Sequence, residues 1–356
     1  MIRGLLNGFR WGVLPIPGRV LAIAFFVFLY LVPLITNDAY TMRLMTIAAI
    51  LAIFAVSWDV LSGYSGQVNF GHALFFGAGA YGAGLLYRHA GLQPWATIPL
   101  GAIIATGIGV ATCFPALRLR PPYLSLLTLA FPIIAERIIR SMPNAWAGGN
   151  DGIRGMPALA GTADESYYIC LIVMTISVLI MYKLTDAKSK YVRTGLLFHA
   201  IREDEIAARA TGINTVRYKI LAFVIGGFFA GLAGALYAHF RLQAGPTYFS
   251  TLLSFQAIIW VVFGGIVSIY GPVFGVYSIY VGLDYLRKTP IGEYRLLIMT
   301  GVIILILLFM PEGVAVRIRH WMESECPRCK LTNASWRRRC RACDASLRYV
   351  PDKQAE

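Results

Sequence analysis

The sequence predicts an all-α polytopic membrane protein, with about ten transmembrane helices including glycine-broken segments, followed by a small polar C-terminal module. Three observations carry that expectation. Of the 356 residues, 57% are hydrophobic and 14% charged, whereas a soluble domain carries about a quarter charged residues. Apolar runs of about 20 residues, the length that crosses a hydrocarbon core, recur along most of the chain. The runs are continuous in Leu, Ile, Val, Phe and Ala, which favours helices that satisfy their own backbone in lipid over alternating barrel strands.

Taken in order, the runs cover 20–36, 44–62, 66–87, 97–117, 122–140, 167–182, 219–240, 252–268, 272–286 and 294–310. The first follows Arg3, Arg10 and Arg19 as in a signal peptide, but no small-residue cleavage site leading to a soluble domain comes after it. It is read as a retained span. Lys and Arg in the short loops set the orientation. Arg118, Arg120, Lys183, Lys188, Lys190, Arg193, Arg202, Arg209, Arg217 and Lys219 gather on one side with the amino-terminal arginines, and fewer basic residues fall on the other. The basic side is the inner one, so both termini are expected in the cytoplasm. The net charge of +14 then suits anionic lipid headgroups. Nucleic acid is not expected, because the basic tail carries no aromatic stacking set beyond Trp336.

Three segments are not membrane. Residues 141–166, SMPNAWAGGNDGIRGMPALAGTADES, form a turn-rich outer loop. Residues 183–219 form a long inner loop, and the chain divides into a transmembrane domain, 1–316, and a polar, cysteine-bearing tail, 317–356. Glycine concentrates in Gly63–Gly84 and Val262–Val276. Small residues let membrane helices pack closely, and one glycine-rich break in each half of a bundle also points to a pathway between repeats.

The inner loop contains HAIREDEIAARATGI, His199 to Ile213. Read as one helix, it places Ile201, Glu205, Ala208 and Gly212 on one face. Glu205 stands four residues before Arg209, the favoured order for an ion pair, and Gly212 is placed to end the helix in the left-handed conformation. Charge runs are usually solvated connectors. A loop this long that also carries Leu196, Leu197 and Ile206 is better read as a docking helix, with Ala207, Ala208, Ala210 and Thr211 as a small-residue face for a partner.

In the tail, Cys326 and Cys329, then Cys340 and Cys343, form two C-x-x-C knuckles. Four thiolates suit the tetrahedral preference of Zn²⁺, and closed four-cysteine sites are structural. Disulfides are the alternative, but paired thiols in a reducing cytoplasm are more often metal ligands. The pattern resembles short zinc-ribbon modules, so a small C-terminal zinc ribbon is expected. The glycine usual after each knuckle of such modules is replaced here by Lys330 and Asp344. Basic residues including Arg328, Arg337, Arg338, Arg339 and Arg341 surround the site and could bind lipid phosphates or an acidic partner.

GLLFHAIREDEIAARATGINTVRYKILAFVIGGFFAGLAGALYA resembles the coupling region of permeases of the branched-chain amino-acid ATP-binding-cassette importers. WDVLSGYSGQVNFGHALFFGAGAYGAG, PPYLSLLTLAF, AGGNDGIRGMP and SFQAIIWVVFGGIVSIYGPVFG follow the family in order and spacing, over roughly residues 40 to 313. PPYLSLLTLAF and AGGNDGIRGMP are more similar to the LivM-type subunit than to its LivH-type partner. The resemblance implies a heteromeric importer with a second permease subunit, two cytoplasmic ATPases and a periplasmic binding protein. It also implies that Glu205, Ala207, Ala208 and Gly212 form the coupling motif that fits the ATPase. ATP is then used by partner chains only and this subunit is not an enzyme, in agreement with the lack of a G-x-x-x-x-G-K-[ST] phosphate loop.

An amino acid in transit needs polar partners, because desolvating its charges costs several kcal/mol. Ser65, Gln67, Asn69 and His72 in the first glycine-rich break, with Ser125 and Thr128 on the fifth run, are the candidate pathway residues. Ionisable residues at depth are Asp59, His72, Glu136, Arg137 and Asp284. A lone His is more simply a structural one, Asp59 is placed to cap the broken segment, and Glu136 and Arg137 lie near a span end. Related permeases carry urea, short amides or aromatic acids. An ion-coupled secondary transporter would instead need Asp59 or Glu136 as an ion site, and an intramembrane zinc enzyme would need metal ligands inside the bilayer.

Overall fold

In a computed structural model, which describes residues 17–36, 38–116, 121–186, 193–290, 292–329, 331–340 and 342–347, each of the ten apolar runs contains a helix. They are α1 (Pro17–Ile35), α2 (Ala39–Trp58), α3 (Ala73–Ala90), α4 (Pro94–Ala116), α5 (Pro121–Ser141) and α6 (Ala163–Thr185). The inner loop forms α7 (Thr194–Glu203) and α8 (Glu205–Ala210), then α9 (Thr215–Arg241) and α10 (Thr251–Gly264) follow. α11 (Tyr270–Val276) runs through a π-helical stretch, Tyr277–Val281, into α12 (Gly282–Arg287), and α13 (Arg295–Phe309) precedes the tail helix α14 (Val314–Met322). Arg3, Arg10, Arg118, Arg120, Lys188, Lys190, Lys330 and Arg341 lie outside the described residues, as do 187–192 of the inner loop and 348–356 of the tail.

Among the described residues, the helices long and apolar enough to cross a membrane cover 39–64, 94–112, 163–185 and 215–241, with a fifth if α13 and α14, bent by 42° to each other, count as one span. Shorter helices arise where glycine cuts a run. The first glycine-rich stretch is helical over most of its length, with its break confined to residues 65–72. In the second, helix stops at Gly264 and resumes at Tyr270.

The core is the mutual packing of α3, α4 and α9, with α6 against α2 and α10 against α11. Glycine makes it possible. A Cβ on Gly79 would overlap the carbonyl of Gly231, one on Gly234 would overlap that of Phe76, and one on Gly101 would sit 2.7 Å from the Gly79 oxygen. Helices this close gain dispersion contacts that lipid chains cannot match. The packing reading of glycine therefore holds along α3 and α9, and an irregular stretch precedes α3.

The loops sort to two ends. At one end Ile153–Arg154 (β1) pairs antiparallel with Gln243–Ala244 (β2), and His89 stacks on Trp146. Across that end the Tyr40 hydroxyl donates to Asp284 at 2.5 Å, and Glu136 pairs with Arg140 at 2.7 Å. At the opposite end α7, the helical turn Asp59–Tyr64 with the 65–72 break after it, the break between Gly264 and Tyr270, and α14 meet. The long inner loop thus shares an end with the tail, and the 141–166 loop lies at the other.

Candidate functional site

The first break is built from hydroxyl and amide groups that replace lost helical hydrogen bonds, the condition for irregular backbone inside a membrane protein. α2 passes into a π-helical turn, Asp59–Tyr64. The chain then doubles back, pinned by the Trp58 indole N–H on the Asn69 carbonyl at 2.7 Å and the Asn69 N–H on Ser62 Oγ at 3.2 Å. Asn69 Oδ1 accepts the Gly71 N–H at 2.8 Å. Neighbouring helices supply the remaining acceptors: Thr128 Oγ1 for the Phe70 N–H at 3.2 Å and Ser254 Oγ for the Ala73 N–H at 2.9 Å.

Of the six candidate pathway residues, Asn69 and Thr128 line one narrow cavity with Gly71, Thr112, Phe131 and Phe223. The others are turned to local bonds. Ser65 Oγ donates to the Leu61 carbonyl at 2.6 Å and the Gln67 amide to the Ser65 carbonyl at 3.2 Å. His72 is fully buried, 2.8 Å from Ser57 Oγ, with Phe54 at a ring separation of 4.9 Å. Ser125 is half-buried, its carbonyl accepting from Thr128 Oγ1 at 2.8 Å.

Asp59, expected to cap the segment that follows it, makes no cap there and reaches the other break instead. Fully buried, it accepts the N–H groups of Val267 at 2.9 Å and Ser268 at 3.2 Å, across 208 and 209 residues of chain. Those amides belong to the second break, where Val267 adopts φ +61°, a left-handed conformation rare for a β-branched residue. One carboxylate therefore ties the two breaks together. No short-range pattern announces such a contact.

The expected single helix in the inner loop is two. Asp204 takes an extended conformation, φ −155° and ψ 107°, and its side chain caps α8 by accepting the N–H groups of Ile206 at 2.8 Å and Ala207 at 3.0 Å. Aspartate competes with helical bonding and favours N-caps, so the helix divides there. α8 ends as foreseen: Gly212 has φ +87°, and the Ile213 N–H reaches back to the Ala208 carbonyl at 3.1 Å.

Glu205 pairs with Arg209 as expected. Its other oxygen takes the buried Lys219 ammonium at 2.7 Å, and Thr215 lies within 3.3 Å. Partial burial raises this carboxyl, but the Lys219 and Arg209 charges outweigh it and hold it below the ordinary value of 4.5. Glu205 and Ala208 thus face the bundle, with Ala208 buried, contrary to the small-residue face drawn from spacing. The face left outward holds Ala207, Ala210, Thr211, Gly212 and Ile206, the last 81% exposed. α7 packs on the π-helical turn, with His199 5.6 Å from the Tyr64 ring. A Cβ on Gly66 would lie 3.3 Å from Arg202 Cα. Lys219, fourteen residues from Glu205, gave no sequence signal.

The four tail sulfurs lie within 4.8 Å of one another. Cys326 to Cys343, Cys329 to Cys340 and Cys329 to Cys343 are each 3.5 Å apart, far beyond a disulfide bond. Sulfurs about 2.3 Å from a tetrahedral ion would stand roughly 3.8 Å apart, so the set could hold a metal ion. Glu323–Glu325 (β3) and Thr332–Ala334 (β4) pair antiparallel around the first knuckle. The backbone N–H groups of Ala342 and Cys343 draw the Cys340 thiol down to about 6, and those of Cys329 and Arg328 lower Cys326. Asp344, standing in the glycine position, has φ +54°, which aspartate tolerates better than most residues.

The chain is 28% identical to the high-affinity branched-chain amino acid transport system permease protein LivM of Escherichia coli, over 83% of this chain and 73% of that one. It is 26% identical to the LivH permease protein of Salmonella typhimurium, over 76% and 93% respectively. A solved metal-chelate type ABC transporter in an inward-facing conformation is 14% identical, with a TM-score of 0.42 over 76% of this chain and 87% of that one, a likeness too slight to weigh. Residues 40–307 match the family described as branched-chain amino acid transport system / permease component, and the chain belongs to that family.

Proposed function

We propose that this chain is the LivM-type permease subunit of an ATP-binding-cassette importer in a bacterial inner membrane. It would pair with a LivH-type permease, two cytoplasmic ATPases and a periplasmic binding protein that delivers branched-chain or related amino acids. The observation that carries the reading is the family match over 40–307. In this reading residues 1–316 cross the bilayer ten times with both termini inside. The 183–219 loop then meets the ATPase, the 141–166 loop meets the binding protein, and Asn69 and Thr128 border the path.

The contacts around α8 suggest how the stroke would travel. An ATPase holding Ile206, Ala207 and Gly212 would move α8; the Glu205–Lys219 pair would carry that motion to α9. α7 would carry it to the π-helical turn, and Asp59 to the second break. Glu205 acts here as the hinge pin and Ile206 as the contact, which refines the role the resemblance assigned. An ion-coupled mechanism is less well supported, because Asp59 spends its oxygens on backbone N–H groups and Glu136 is paired with Arg140.

The tail, 317–356, would hold Zn²⁺ through Cys326, Cys329, Cys340 and Cys343 as a structural ion, since four thiolates leave no open position for catalysis. The test is uptake by the assembled transporter in proteoliposomes. Leucine, isoleucine or valine should enter only with binding protein outside and ATP inside. Uptake that follows an ion gradient without ATP overturns the proposal, and uptake of urea, amides or aromatic acids alone reassigns the substrate.

A further inference from the structure

We infer that the end of the tail ladder bearing Trp321 and Trp336 is a docking surface for the anionic phospholipid headgroups of the membrane the bundle spans. The ladder register pairs Glu323 with Ala334, and the Ser335 N–H donating to the Met322 carbonyl at 2.8 Å carries the pairing one step further. Beside that bond stand Trp321, in the last turn of α14 next to Met322, and Trp336, next to Ser335, 82% and 69% exposed. Two large aromatics thus flank the Met322–Ser335 bond instead of joining the core of the tail. Arg337 and Arg338 follow Trp336 directly and are exposed, Arg339 after them pairs with Asp344 at 3.0 Å, and Arg317 is exposed on α14.

The ladder is fixed at the level where apolar surface begins. The Glu323 carboxylate accepts the N–H of Gly18, in the first turn of α1, at 2.9 Å. Exposed Val20 and Leu21 follow within one turn, an axial step of about 5 Å at 1.5 Å per residue. Arg319 on α14 donates to the Tyr270 hydroxyl at 3.1 Å, holding the same unit to the second break. Trp321 lies two residues before Glu323, so the pair sits beside the hydrocarbon edge, where indoles are enriched. Arginines beside an anionic surface are each attracted to it. That places lipid ahead of an acidic protein. The inference rests on the bundle being membrane-spanning and is independent of the coupling assignment, so failed uptake would leave it standing.

The test is hydrogen exchange of the peptide covering 319–339, on the full chain in nanodiscs of phosphatidylcholine alone or mixed with phosphatidylglycerol. Exchange should be about tenfold slower in the anionic discs, with the difference lost at high salt. It should also be lost in the double variant Arg337→Glu and Arg338→Glu, with the metal content measured to verify that the ribbon is intact. If that variant loses metal, Arg337→Gln and Arg338→Gln should still reduce the difference. Equal exchange in both discs, a full difference retained in the charge variants, or protection that appears only when the ATPase subunits are added would overturn the inference.

Discussion

Replacing Asp59 tests the link between the two breaks. In Asp59→Ala the N–H groups of Val267 and Ser268 lose their acceptor. A buried donor left unpaired costs about 1–3 kcal/mol. Ser268 is buried and Val267 half-buried, so the sum is about 3 kcal/mol, taking the lower part of that range for Val267. Local opening of residues 265–270 should rise by about a hundredfold, since each 1.4 kcal/mol is a factor of ten. Asp59→Asn keeps one carbonyl acceptor and should give about a tenfold increase on the same reasoning. Hydrogen exchange of the Val267 and Ser268 amides in the assembled transporter reads this directly. ATP-driven uptake should fall with it, because Val267 adopts its left-handed conformation against that anchor. Unchanged exchange at both amides in a folded Asp59→Ala protein would refute the reasoning.

The Glu205 carboxyl is lower in the folded chain than its ordinary 4.5. Its contribution is therefore complete above that value and lost as pH falls through the lower folded one. The difference in unfolding free energy between native protein and Glu205→Gln should stay flat from about pH 8 to 5.5 and vanish in more acidic buffer, at a size of about 1 kcal/mol for a partly exposed pair. Stripping metal with a chelator, or replacing Cys326 and Cys340 by Ser, should lower the metal content found by elemental analysis. It should also speed amide exchange over 323–347 while the bundle keeps its unfolding midpoint. Gly79→Leu should prevent recovery of monodisperse protein, because its side chain would enter the Gly231 backbone. Gly107→Ala, which meets nothing within 4 Å, should be tolerated and gain at most about 1 kcal/mol.

What could be read from the sequence follows the reach of each interaction. Apolar runs, the Glu205–Arg209 pair, the Gly212 stop and the cysteine knuckles are set by residues within a few turns of each other, and all of them lie where spacing put them. The break at Asp204 was legible in principle, as aspartate prefers an N-cap to a helix interior, but the regular spacing of Ile201, Glu205 and Ala208 spoke for one helix. The Asp59 contact with Val267 and Ser268, the Glu205–Lys219 pair and the Glu323–Gly18 bond span 14 to 305 residues. Such contacts depend on how helices pack, which periodicity does not encode. The polar cluster around His72 was visible as a list of residues. That its groups mostly satisfy one another emerged only from geometry.

The most direct measurement is cross-linking from position 206 in the complete transporter. With Ile206→Cys, a thiol cross-linker should join this chain to an ATPase subunit, and the yield should change when the ATPase is trapped with nucleotide. Absence of any cross-link to an ATPase, together with labelling of the same cysteine by a membrane-impermeant thiol reagent from outside intact cells, would contradict the account.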